Sequence, residues 1–192
     1  MRIWTIGHST RTIDDLISLL KENEIKLLVD VRAWPGSKRY PQFNRDALAE
    51  SLNAHGIRYE HFPELGGKRK SKPDSRNTAW RNASFRGYAD YMETQQFRTG
   101  VERLLAFARS GGLGSRRNER DGWEAVTPCR TAIMCAEAVW WRCHRSLIAD
   151  YLKARGVQVL HILGANKVEP HPYTSAARIV NGELSYETES LL

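Results

Sequence analysis

A three-layer α/β fold with a mainly parallel sheet of about five strands is what this chain predicts, and three observations predict it. Strand-like apolar runs alternate with amphipathic helical segments along the chain, the pattern that produces crossover connections and a parallel sheet. One of those runs, "IKLLVDVR" (25–32), is almost continuously apolar, as a strand buried on both faces must be. The chain has 192 residues, 41% hydrophobic and 27% charged, which suits one ordinary soluble domain with a sizeable core.

The elements follow in order. "RIWTIGH" (2–8) reads as a strand of β-branched and aromatic residues. "TIDDLISLLKENE" (12–24) reads as a helix whose apolar stripe is Ile13, Leu16, Ile17 and Leu20; Thr12 caps it and Asp15 completes a short capping box. After the strand at 25–32 comes the turn-rich loop "AWPGSKRYPQFN". A helix at 45–55 follows, with Asn44 as cap and Gly56 as stop, then a strand at 57–62. Residues 85–109 read as helix in two pieces divided near Thr99–Gly100. "RTAIMCA" is a strand, "RSLIADYLKARG" a helix and "VQVLHIL" a strand; the polar segment from Gly164 gives no clear signal. Two long loops, near 63–84 and 110–130, interrupt the alternation, and no internal repeat or boundary divides residues 1–192, so a single Rossmann-like domain is expected.

The composition narrows the function classes. No apolar stretch reaches the length of a membrane span, and "MRIWTIGHST" enters a strand without a signal segment, so a cytoplasmic protein with no membrane partner is expected. Three cysteines, Cys129, Cys135 and Cys143, do not suit a disulfide framework. A net charge of +7 is compatible with an anionic small molecule or nucleic acid as partner. Nothing in the chain calls for a cofactor, and oligomeric state is not encoded in any motif.

In an open parallel sheet, ligands sit beyond the carboxyl ends of the strands. The residues leaving successive strands are His8 and Ser9, then Asp30 and Arg32, then Gly66 and Gly67, then Cys135 and Glu137, with His144 and Arg145 at the start of the next helix. Cys135, Glu137, His144 and His8 are the candidate catalytic groups. Ser9, Asp30, Arg32, Gly66, Gly67 and Arg145 are candidates for holding an anion. An internal Asp30–Arg32 ion pair stands level with a ligand role for those two. Cations and a helix N-terminus favour thiolate, so Cys135 is expected to be the most reactive thiol. Cys143 should be more buried, and Cys129 should behave as an ordinary exposed thiol, near ~8.5.

Two resemblances follow. "TIGHSTR", "LVDVRAWPGS", "PQFN", "LGGKR", "FRGYADYM" and "MCAEAVWWRCHRSLIADYL", in that order, resemble the uncharacterised family called domain of unknown function 488. Its "CAE…CHR" pattern is intact as Cys135-Ala136-Glu137 and Cys143-His144-Arg145. The resemblance implies family membership but no named reaction. More locally, "LLVDVR" and "AIMCAE…RSLIADYLKARGVQVLHILG" are similar to rhodanese-like domains, which would imply a sulfur-carrying role for Cys135 with Arg145-Ser146 at the cradle. Nine residues separate Cys135 from Arg145 and none is Gly, unlike the short glycine-containing loop of that family.

Three functions compete. The first is an enzyme with a cysteine-containing anion site at the strand ends, acting on a phosphorylated or nucleotide-like substrate. The second is a nucleic-acid-binding or DNA-repair-associated protein that uses Lys68, Arg69, Lys70 and Lys72 and the Arg-rich stretch 115–120. The third is a metal site of Cys135, Cys143 and His144, although C-x₇-C-H is not a usual zinc spacing.

Overall fold

The computed structural model describes residues 1–110 and 128–188. Its elements are β1 (Arg2–Gly7), α1 (Ile13–Glu22), β2 (Leu27–Asp30), α2 (Arg45–Asn53), β3 (Arg58–His61), α3 (Ala83–Met92), α4 (Gln95–Ser110), β4 (Thr131–Cys135), α5 (Arg145–Ala154), β5 (Gln158–Gly164), β6 (Lys167–Pro170), β7 (Arg178–Val180) and β8 (Glu183–Ser185). Six strands form one sheet in the order β3-β2-β4-β1-β5-β6, and β7 pairs with β8 in a separate hairpin. All neighbours in the large sheet are parallel except β5 and β6, so the expected parallel α/β architecture holds with one added antiparallel edge.

Successive side chains of the central strands feed two cores, as the two-residue period of a strand requires. Ile3, Leu27, Val29 and Ile133 pack with α3, α4 and α5 on one face. Trp4, Ile6, Leu28 and Met134 pack with α1 and α2 on the other. The capping box forms at α1: Asp15 N donates to Thr12 Oγ1 at 3.1 Å and Thr12 N donates to Asp15 Oδ2 at 3.2 Å. Asn44 stands at the start of α2 but makes no side-chain cap; its Oδ1 accepts from Ser37 N at 2.6 Å and ties down the preceding loop. Two expectations need correction. The break in the long helical region falls at Glu93–Thr94, not Thr99–Gly100, because Thr94 Oγ1 accepts from Phe97 N and starts α4; Gly100 lies inside α4, against Leu65. The unassigned segment after Gly164 supplies β6 and the hairpin. The Arg-rich stretch 115–120 lies outside the described residues.

The topology creates the crevice. From β2 the chain leaves outward to β3, whereas from β4 it leaves the other way, past β1, to β5. The connections that leave adjacent β2 and β4 therefore run in opposite directions, the arrangement that opens a cleft at the carboxyl ends of a parallel sheet. Among the described residues no helix is long and apolar enough to cross a membrane.

Candidate thiol site at the strand ends

The exits of β1 and β4 are stitched together first. His8 N donates to Cys135 O at 3.0 Å and Ser9 N to Ala136 O at 2.9 Å. The approach is so close that a Cβ on Gly7 would lie 1.9 Å from Glu137 O, so only glycine fits there. This brings the residues after β1 beside those after β4.

Arg32 and Asp30 form the internal ion pair. The Arg32 guanidinium donates Nε to both Asp30 oxygens at 2.9 and 3.0 Å, and Nη2 to Asp30 Oδ2 at 2.5 Å and Phe43 O at 2.8 Å. Tyr59 adds a third donor to Asp30 at 2.8 Å. Arg32 Nη1 reaches His8 Nε2 at 3.2 Å, while His8 Nδ1 meets Ser9 O at 3.0 Å. A carbonyl can only accept, so Nδ1 of His8 carries the proton and Nε2 accepts from Arg32. Burial, then the positive charge of Arg32, lower the His8 pKa to about 4. His8 is thus a neutral ring stacked on Phe43 at 4.2 Å between centroids, with both nitrogens engaged. These groups brace the cleft wall.

Four residues of the next segment converge. His144 Nε2 donates to Val31 O at 3.0 Å, so its Nδ1 holds the lone pair. That lone pair faces Cys143 Sγ at 3.6 Å and Cys135 Sγ at 4.0 Å. Arg145 Nε donates to Cys143 Sγ at 3.4 Å, and Nη2 donates to Glu137 O. Gly67 sits directly over the ring: a Cβ there would lie 2.9 Å from His144 Nδ1.

The thiols share a proton unequally. Burial pushes the Cys143 thiol up, but the neighbouring Cys135 thiol and the Arg145 guanidinium act the other way and hold it well below the ordinary thiol value. For Cys135 the neighbouring negative Cys143 sulfur and burial raise the pKa well above that value. The thiolate is therefore favoured on Cys143, the sulfur that Arg145 Nε reaches at 3.4 Å, the reverse of the order expected from sequence. Free N–H groups at the start of α5 do not carry the effect. Ser146 N and Leu147 N are already bonded to Cys143 O and His144 O. Cys129 is half-buried rather than exposed, and burial raises its pKa.

A buried chain that sequence reasoning missed runs behind Arg145. Asp150 Oδ1 lies 2.9 Å from His171 Nε2, His171 Nδ1 lies 2.9 Å from His161 Nε2, and His161 Nδ1 lies 2.7 Å from Thr5 Oγ1, which accepts from Arg145 Nη1 at 3.4 Å. One polarity satisfies every member: each neutral imidazole donates from Nε2 and accepts at Nδ1, and Thr5 donates its hydroxyl to His161. Burial first, with the positive charge of Arg145 beside it, lowers the His161 pKa to about 3, in keeping with a neutral ring. Trp140 stacks on His161 at 4.4 Å. The available signals were a histidine inside the apolar run "VQVLHIL" and an aspartate three residues after Leu147 on the buried side of α5.

A cavity of about 410 Å³ opens beside this cluster, with Ser9, Arg32, Ser37, Tyr40 and Glu137 in its wall. Neither sulfur belongs to that wall; Ala136 and Glu137, the next two residues after Cys135, do. A second cavity of about 310 Å³ is lined by Gly67, Lys68 and Arg69, and Trp34 belongs to both. Gly66 packs against Ala33, and Arg69 stacks on Tyr91 at 3.7 Å. Lys72 pairs with Glu93 at 3.4 Å, while Lys68 lies over the Trp34 ring at 5.5 Å and Lys70 joins neither contact.

Cys135, Cys143 and His144 also satisfy the distance requirement for a metal, their ligand atoms lying within 4.8 Å of one another. A tetrahedral zinc would set thiolate–imidazole edges at about 3.5 Å, close to what is found. Among the described residues three ligands converge, and a dication would sit beside the buried Arg145 charge that already balances one thiolate, which weighs against occupancy.

The family model described as "Domain of unknown function DUF488" matches residues 12–124 and 115–152. No curated protein and no solved structure matches the chain.

Proposed function

We propose, for a chain that belongs to the DUF488 family, that the strand-end cluster is the reactive centre of a thiol-dependent enzyme. Cys143 supplies the standing thiolate and Cys135 the half-buried thiol beside it. His144 accepts and returns a proton at Nδ1, and Arg145 stabilises negative charge on sulfur. The observation that supports this reading is the His144 ring: its Nε2 is committed to Val31 O, so its one basic atom faces two sulfurs at 3.6 and 4.0 Å. A packing site has no use for that arrangement. The adjacent cleft, walled by Ser9, Ser37, Tyr40 and Glu137, suits a small polar substrate. Arg32 is committed to Asp30, so recognition of an anion falls less to it than the sequence suggests. One-domain organisation and a cytoplasmic setting fit this reading.

The test is peptide-resolved alkylation. Trypsin separates the two cysteines, because Arg142 lies between them. At pH 6 an ordinary thiol, near ~8.5, is almost wholly protonated. Modification of Cys143 or Cys135 by iodoacetamide at that pH, with Cys129 unmodified, supports the reading. Native protein in which neither reacts below pH 8 would overturn it.

A second reading rests on Trp34, which is 73% exposed between the two cavities with Lys68 over its ring. That pairing suits stacking on an unpaired base beside a phosphate. A single-stranded oligonucleotide should then bind with log K falling by about 0.7 per released contact as log salt rises. No binding at low salt removes this reading.

A further inference from the structure

The two sulfurs are each other's neighbours as well as neighbours of His144. Their Sγ atoms lie within 4.8 Å of one another, in residues eight positions apart along the chain. Cys135 is half-buried whereas Cys143 is 4% exposed. The segment that joins them turns through Trp140–Arg142. A pair with one half-buried and one enclosed cysteine, and a proton acceptor facing both sulfurs, has the parts for exchange chemistry.

We propose that Cys135 and Cys143 form a reversible dithiol–disulfide couple that exchanges with a low-molecular-weight disulfide; this rests on the thiol reading of the site. Cys135, the less enclosed of the two, meets the incoming disulfide. Cys135 gives its proton to the neighbouring Cys143 thiolate, and its own thiolate attacks one sulfur of the substrate. The substrate S–S bond breaks and the first thiolate leaves. The proton now on Cys143 passes to His144 Nδ1. The Cys143 thiolate attacks Cys135 Sγ, the mixed disulfide breaks, and the second substrate thiolate takes the proton from His144. One substrate disulfide is reduced by two electrons to one thiol and one thiolate, and the protein pair is oxidised to one disulfide, with charge and protons balanced.

Arg145 gives the couple a direction. Its buried guanidinium loses its negative partner when Cys143 enters a disulfide, so the reduced form is favoured and the oxidised form is easily reduced. In a series of reduced and oxidised glutathione ratios, half-oxidation should therefore need an oxidising mixture. Arg145→Gln should shift that midpoint toward easier oxidation, by about tenfold in the ratio.

The experiment is incubation of the full chain with oxidised glutathione, alkylation and tryptic mass mapping. The expected product is peptide 131–142 joined to peptide 143–145 with loss of two hydrogens, in wild type and in Cys129→Ser, and its reversal by reduced glutathione. Cys143→Ser should accumulate a glutathione adduct on Cys135. If both cysteines remain alkylatable in excess oxidised glutathione and no joined peptide appears, the couple is wrong and the thiol enzyme reading stands. If wild-type protein neither alkylates at these cysteines nor joins them, both are wrong.

Discussion

His144 takes its orientation from one backbone acceptor. Because Val31 O fixes the proton on Nε2, Nδ1 is the atom left for the sulfurs, and Gly67 leaves room for the ring to stay there. Gly67→Ala places a methyl 2.9 Å from Nδ1, so the ring must turn. We expect alkylation of Cys143 at pH 6 to slow markedly, with a stability loss of about 1–3 kcal/mol, measured by urea unfolding of the same sample. The residues of the site were legible individually, since each leaves a strand or starts a helix. Their partners were not. Asp30 ends β2 and Arg32 follows two residues on, equally able to meet each other or a ligand, and the packed Phe43 and Tyr59 decide it. In the same way, the spacing of Arg145 from the two cysteines does not say which sulfur its Nε will reach.

At the scale of elements, α5 joins the thiol site to the carboxyl-terminal part of the chain. Arg145 opens the helix at Cys143, and Asp150, fully buried, accepts from His171, Thr174 N, Thr174 Oγ1 and Tyr186. Asp150→Ala strands four donors, and we expect a loss of about 3–5 kcal/mol, the range for breaking a buried polar network. Amide hydrogen exchange should quicken around Thr174 and Tyr186 before the central strands respond; uniform quickening would contradict the anchoring role. This segment was illegible because β6, β7 and β8 are short and exposed, with no two-faced apolar pattern to announce them. The break between α3 and α4 had a readable sign in Thr94 as a cap, which the nearby glycine at 100 obscured.

Across the whole molecule, strand–helix alternation revealed the layers but not the strand order. Nothing local says that β4 enters between β1 and β2, and that insertion is what places Cys135 beside both His8 and Asp30. The same burial gives a pH signature. His8 and His161 are held neutral, with folded values of about 4 and about 3. Unfolded, each titrates near ~6.5, so the unfolded state binds more protons below that pH. Their contribution is complete above pH 7 and is lost progressively as pH falls from ~6.5 toward 4 and below, at up to about 1.4 kcal/mol per unit for each ring. Urea midpoints at pH 7, 5.5 and 4.5 should fall in that order. His161→Gln should flatten the decline, and an unchanged slope would contradict the assignment.

The central claim is that two neighbouring thiols share one proton, with the thiolate on Cys143. Thiolate absorbance near 240 nm, followed from acid to alkaline pH in Cys129→Ser protein, reads this directly. The account predicts two separated steps: one thiolate already present at neutral pH and lost only in acid, and a second appearing well above the ordinary thiol range. Cys143→Ser should abolish the first step. A single transition of both thiols together near ~8.5 would contradict the account.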